Sequence, residues 1–183
     1  MRIDKLQAEW HIDVRFVHFP LHPETPADGI SLERLFAGRG FDIEAAKERI
    51  KRAADKEGLP YGNRTMTYNS RLAQELASYA VTQPDGEQIH DTLFRAYFVD
   101  GKNLSSIEAL VEIGQSIGLD PDACRDVLTN RTHSANVDAD WDRSLENGIT
   151  AVPTFVAGRS MVAGAQPYAV LEQLLERAGA TRR

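Results

Sequence analysis

The sequence predicts an α/β fold in which a large all-helical insertion separates the two parts of a small mixed domain. Three observations carry that expectation. Ile12–Phe19 (I-D-V-R-F-V-H-F) is rich in β-branched and aromatic residues and turns apolar on both faces, which suits a covered strand. From Ser31 to about Leu128 the apolar residues fall at helical spacing. Finally, Thr154–Val156 and Met161–Ala163 flank a Gly158-Arg159 turn, the pattern of a tight hairpin. Residues 1–30 and 131–183 are therefore expected to form the mixed domain, and residues 31–130 the insertion. The hairpin and Ile12–Phe19 are expected to share one sheet.

In chain order, Arg2–Trp10 reads as a helical stub with Ile3, Leu6 and Trp10 at helical spacing. Pro20, Pro23, Pro26 and Gly29 end the first strand in an extended loop. Ser31 can cap a short helix containing Leu32, Leu35 and Phe36. Asp42 can cap the next, with Ile43, Ala46, Ile50 and Ala53 on one face and Gly58 at its end. Leu59–Thr67 is predicted as a loop.

Asn69–Thr82 is the next helix, broken at Pro84-Asp85-Gly86. Ile89, Leu93, Ala96 and Tyr97 mark another. Ser105 with Glu108 has the spacing of a capping box ahead of Ile107, Leu110 and Val111. Asp120-Pro121 opens a short helix bearing Cys124, Val127 and Leu128. Ser134–Asn147 is a polar helix with Val137, Trp141 and Leu145 as its apolar stripe.

The last stretch, G-I-T-A-V-P-T-F-V-A-G-R-S-M-V-A-G-A-Q-P from Gly148 to Pro167, organises the rest. Pro153 stands at the first residue of the leading strand, where a missing ladder donor is tolerated. A cis Val152–Pro153 bond, which would turn the preceding backbone sharply, is the expectation this reading depends on. Gln166-Pro167 then opens a helix with Leu171, Leu174, Leu175 and Ala178 as its apolar face and Gly179 at its end.

Composition narrows the function classes. At 183 residues the chain can bury about two-thirds of its unfolded surface, enough for a core without covalent staples. A formal net charge of −6 and the lack of a basic stretch argue against nucleic acid as a partner. No segment has the apolar length of a membrane span, and M-R-I-D-K-L-Q is not a secretory signal, so a cytoplasmic protein without a membrane partner is expected. The single cysteine, Cys124, excludes an internal disulfide.

A-V-P-T-F followed by the hairpin and G-A-Q-P resembles the C-terminal half of a thioredoxin fold, and more narrowly the FrnE-like members of the DsbA family. The resemblance extends through F-P-L-H-P-E-T-P, A-Y-F-V-D-G-K-N-L and I-G-L-D, from His11 to Ala178. It implies a thioredoxin-like fold with a helical insertion and thiol–disulfide oxidoreductase activity. It further implies that Ala151, Val152 and Pro153 face the substrate, a protein or a small thiol such as glutathione. No cofactor is implied.

In that family a C-x-x-C pair opens the helix after the first strand. Free N–H groups and the helix dipole make its first thiol acidic, and the second thiol resolves the mixed disulfide. Neither that motif nor a strand ahead of Arg2 is present in this sequence. Either Met1 is an alternative or wrongly chosen start, or the product lacks the pair; the retained proline loop favours the first. The chain as written is expected to be redox-inactive, with no catalytic residue, and poorly stable as a monomer. Two strands separated from their neighbour would leave open edges and invite strand exchange, for instance in a homodimer.

Other chemistry is weaker. Cys124 shares an apolar helical face with Val127 and Leu128 and reads as a core residue, its sole nearby cation being Arg125. His18 and His22 straddle Pro20 and do not form a metal pair, while His90 and His133 are expected to face solvent. Gly38-Arg39-Gly40 is a loop without a phosphate-binding fingerprint. Asp138, Asp140 and Asp142 read as a solvated acidic face. A glutathione-dependent isomerase of the 2-hydroxychromene-2-carboxylate type is the enzyme alternative, although its reactive serine belongs to the same absent stretch. A non-catalytic thioredoxin-like domain, holding an extended peptide between the Val152–Pro153 loop and the helical block, is the binding-module alternative.

Overall fold

A computed structural model of the chain describes residues 2–38, 40 and 42–183. The chain begins with α1 (Arg2–Glu9), then β1 (Ile30–Ser31), α2 (Leu32–Leu35) and α3 (Ile43–Lys56). There follow β2 (Met66–Thr67), α4 (Arg71–Ala80), a 3-10 turn at Gly86–Gln88, α5 (Ile89–Phe98), α6 (Ile107–Ser116) and α7 (Pro121–Asn130). It closes with α8 (Ser134–Glu146), β3 (Thr154–Ala157), β4 (Ser160–Ala163) and α9 (Tyr168–Arg177). Two compact units result: a terminal unit from the chain up to Leu21 and Ala139–Arg183, and a central unit from His22–Asp138.

The central unit is a helical cluster around Leu76, Ile89, Leu110, Cys124 and Leu128, all buried. Local signals set its helix ends. Ser31, Asp42, Ser106 and Asp120 each accept a backbone N–H of the following turn through the side chain, satisfying donors that a helix N-terminus leaves over. The predicted capping box is displaced by one residue: Ser106 caps α6, while the Ser105 hydroxyl bonds Asn103 and the Ala27 carbonyl. Ser105 is drawn away because its hydroxyl ties the 103–105 turn to the distant Ala27 carbonyl.

Two further expectations fail in this unit. Residues 59–67 are not all loop, since Met66–Thr67 pairs antiparallel with Ile30–Ser31 in the register Ile30↔Thr67. Two residues are too few to produce a period-2 signal. The apolar stripe of α3 is not buried either: Ile50 is exposed and no residue of α3 reaches the core. Arg39, in the predicted Gly38–Arg39–Gly40 loop, lies outside the described residues.

The terminal unit packs Leu6, Trp10 and Leu171 with Phe155, Val162 and Leu175. Here α1 and α9 lie on one face of the β3–β4 hairpin. The hairpin turns at Gly158-Arg159 as predicted, in the register Phe155↔Val162 and Ala157↔Ser160, and Gly158 supplies the positive φ (59°) required at the first position of its two-residue turn. The chain end clips back onto α1: the N–H of His11 donates to the Thr181 carbonyl and that of Arg183 to the Glu9 carbonyl. Pro167, the predicted first helical position, instead occupies the N-cap of α9, whose first helical residue is Tyr168.

Ile12–Phe19 does not form the predicted strand and does not share a sheet with the hairpin. Among the described residues the ladders are β1–β2 and β3–β4, and next to Ile12 only an isolated Trp10↔Arg182 bridge forms. A β-prone composition cannot make a ladder without a partner edge, and none lies alongside this segment. Its backbone is held by side chains from α8. Asp140 accepts the His18 N–H (3.1 Å) and a guanidinium N–H of Arg15 (3.1 Å), and the Ser144 hydroxyl donates to the His18 carbonyl (3.3 Å). Asp140 is therefore buried, not part of a solvated acidic face, and Leu145 is exposed where the predicted stripe would bury it.

Candidate functional site

The loop from Asn147 to Pro153 joins α8 to β3. The Ile149 N–H donates to the Ser144 carbonyl (3.0 Å), closing the helix end, and the chain then runs outward. The Val152–Pro153 peptide bond is cis, as expected. On its C-terminal side the loop is fixed to the hairpin. The Thr154 hydroxyl donates to the Ala151 carbonyl (2.6 Å), and the Gly164 N–H donates to the Pro153 carbonyl (2.7 Å).

Between those anchors, the Val152 N–H and C=O bond to no described residue, and the residue is 45% exposed. Ala151, Val152 and Pro153 thus form one exposed, shaped stretch of backbone with a donor and an acceptor available. Such a stretch can pair with an extended peptide by main-chain hydrogen bonds. It contains no titratable side chain, so it can bind and orient but not transfer protons or electrons.

The thiol lies in the central unit. Cys124 is fully buried on α7, and its Sγ abuts Gly114 of α6 so closely that a Cβ there would come within 2.7 Å of it. Burial, and secondarily the Asp120 carboxylate, push the thiol above its ordinary value, which keeps it protonated. Arg125, the sole cation the sequence offered it, is engaged by both carboxylate oxygens of Glu108. A thiolate nucleophile needs the reverse of each condition. Cys124 is a core residue.

Sequence reasoning missed the most strongly held ionic group. Glu75, on α4, is completely buried and receives the Arg71 Nε (2.7 Å) and two nitrogens of Arg131 (both 2.6 Å). Burial alone would raise its carboxyl, but the two guanidiniums outweigh burial and hold it below the usual carboxylate range. Arg131 reaches it from a left-handed C-cap (φ 55°) at the end of α7. Asp138 completes the chain of charges by pairing with Arg71 (2.7 Å). The network carries structure. A Glu four residues after an Arg on an otherwise apolar helix face was the available signal.

The histidines differ from expectation too. His133 is half-buried, bonded to the Ser78 hydroxyl (3.2 Å) and edge-on to the Tyr79 ring, and burial lowers its pKa. His90 is likewise half-buried and lowered by burial. Among the described residues no group of His, Cys, Asp and Glu could hold a metal ion, and no helix is long and apolar enough to cross a membrane.

A cis-proline loop leading into a β-hairpin that packs on a C-terminal helix, with a helical segment inserted ahead of it, defines a thioredoxin-like domain. The chain belongs to the DSBA-like thioredoxin domain family, whose pattern matches residues 1–176. It is similar to the probable DsbA oxidoreductase SCO1869 from Streptomyces coelicolor, at 29% identity and TM-score 0.89, over 97% of this chain and 82% of that one. A 2-hydroxychromene-2-carboxylate isomerase shares the fold at 19% identity and TM-score 0.72, over 97% of this chain and 85% of the other. The uncharacterized protein YwbO of Bacillus subtilis (strain 168) is 29% identical over 105 residues, 57% of this chain. The chain spans about half (52%) of that curated relative's length.

Proposed function

We propose that this chain is a FrnE-like DsbA-family domain that docks an extended thiol- or disulfide-bearing partner on Ala151–Val152–Pro153 and carries out no thiol–disulfide exchange with its own sulfur. The partner is a protein segment or a small peptide thiol such as glutathione, and the setting is the cytoplasm. The reading is carried by the unpaired backbone of Val152, presented beside a hairpin that fixes it on both flanks. Membership of the DSBA-like family supports the class of partner.

Thiol–disulfide exchange needs a thiolate to attack and a second thiol to resolve the mixed disulfide. Cys124 is alone, buried and raised, so it supplies neither. The expected result in an insulin-reduction assay with dithiothreitol is turnover at the background rate, unchanged by Cys124→Ala. A glutathionylated peptide should nevertheless perturb the amide resonances of Ala151 and Val152. Turnover that disappears in Cys124→Ala, or a peptide that leaves those resonances unmoved, would overturn the proposal.

A further inference from the structure

α3 stands apart from the rest of the central unit. Its stripe of Ile43, Ala46, Ile50 and Ala53 is left out of the helical core, and Ile50 is 46% exposed. At the end of the helix Gly58 takes a positive φ (68°), and the Leu59 N–H donates to the Ala54 carbonyl (2.9 Å). That closure folds Leu59, itself 40% exposed, back over the last turn and extends the apolar patch past Ala53.

The charges on α3 are distributed unevenly around it. Between Ile43 and Lys56 the sequence places five Lys and Arg against three Glu and Asp, in a chain of net charge −6. Glu44 pairs with Lys47 (2.9 Å) and Glu48 with Arg52 (3.9 Å). The side chains of Arg49, Lys51 and Lys56 are exposed and bond to no described residue. At helical spacing Arg49 and Lys56 lie two turns, about 10 Å, apart and border Ala53, with Ile50 beyond it. Glu44, Glu48 and Asp55 fall on the opposite face.

We propose that this face of α3 docks an acidic amphipathic helix of another protein. Unpaired cations beside exposed apolar side chains are complemented by carboxylates beside apolar side chains. The N–H and C=O groups inside α3 bond to one another, so the face offers an extended peptide no ladder to join, and recognition runs from side chain to side chain. Ala45 and Ala53, both exposed and small, let the axis of a second helix approach to about 8 Å.

A lipid surface and a second copy fit the patch less well. Ile50 and Leu59 are the large exposed apolar side chains it offers, too few to hold a helix in a bilayer interface. The α3 of a second copy would bring the same unpaired cations against Arg49 and Lys56. The proline loop plays no part in this site.

The test uses the full chain and an acetylated, amidated peptide of three repeats of Glu-Ala-Leu-Glu-Glu-Ala-Ala, which as a helix carries its carboxylates on one face. Saturable binding is expected, with shifts in the amide resonances of Arg49, Ile50, Ala53 and Lys56, and with affinity that falls as salt is added. The double variant Arg49→Glu/Lys56→Glu should bind the peptide about tenfold more weakly and should gain binding of the counterpart with Lys in place of Glu. Ile50→Asp should weaken binding of the acidic peptide comparably. If either variant loses its helical circular dichroism, the unaltered chain decides, by binding the acidic peptide and not a version whose central Ala is replaced by Pro. No binding, shifts outside α3, equal binding of the proline peptide, or affinity unchanged in the folded double variant would overturn the proposal. So would anionic phosphatidylglycerol vesicles captured by the chain but not by Ile50→Asp, or a dimer in sedimentation that Ile50→Asp dissociates.

Discussion

The two units of this chain satisfy their polar and apolar groups to very different degrees. In the central unit a buried carboxylate meets two guanidiniums, a buried thiol fills the space left by a glycine, and four helices carry side-chain caps. In the terminal unit one strand edge and the Asp13–Val14 backbone lack partners among the described residues. Phe16, Leu21, Leu145, Val152, Val156 and Met161, most of the exposed large apolar residues described, also belong to it. Apolar area and backbone groups left in contact with water make the terminal unit the less satisfied of the two. The central unit closes around its core.

The largest expected effect probes the closed unit. Glu75→Gln leaves two arginines facing a neutral amide, and the central unit should lose about 3 kcal/mol, read from the slowest-exchanging amides of α4 and α7. Asp140→Ala in the other unit removes the acceptor for the His18 N–H and the Arg15 guanidinium. It should cost about 2 kcal/mol and free the 12–18 segment to faster exchange. If the terminal unit were packed as tightly as its neighbour, that exchange would not change.

A smaller effect is expected from Gly114→Ala, about 1–2 kcal/mol. The new methyl meets Cys124 Sγ and outweighs the helix propensity gained. Cys124→Ala in the same chain should restore most of the loss, a coupling that a double-mutant cycle measures by chemical denaturation. Ser106→Ala should cost about 1 kcal/mol through loss of the α6 cap, and Ser105→Ala should not act through that cap.

The gentlest probe is acid. His90 and His133 titrate lower in the folded chain than in the unfolded one, so the unfolded chain takes up protons first. Stability should begin to fall as pH drops below the ordinary histidine value of about 6.5. The Glu75 carboxyl is also lowered, so its contribution is present above its unfolded value and is lost only at lower pH, as the folded value is approached. A central unit that lost stability with rising pH over the same range would contradict these directions.

The legibility of the sequence follows the same divide. Helix starts were readable because caps are local: Ser31, Asp42 and Asp120 act within three residues of themselves. The hairpin and the bend before Pro153 were readable for the same reason. What failed depended on partners distant in sequence. Ile12–Phe19 has strand composition, but a strand is defined by the edge it pairs with, and among the described residues it pairs with none. Asp140 sits among acidic neighbours that read as a solvated face, and its burial is set by the chain 122 residues earlier, at His18. Glu75 is held by another partner distant in sequence, Arg131, 56 residues later. The expectation that Ala151, Val152 and Pro153 face a substrate came from family resemblance, and the structure adds that the Val152 backbone bonds to no described residue.

The central claim, that the outer edge of β3 is unpaired in this chain, is tested most directly by residue-resolved hydrogen exchange on the dilute chain. The β4 ladder takes the N–H groups of Phe155 and Ala157, and those of Thr154 and Val156 face outward. Slow exchange at Phe155 and Ala157 with fast exchange at Thr154 and Val156 is the predicted pattern. Equal protection at all four amides would mean that this edge is already paired, and would contradict the account.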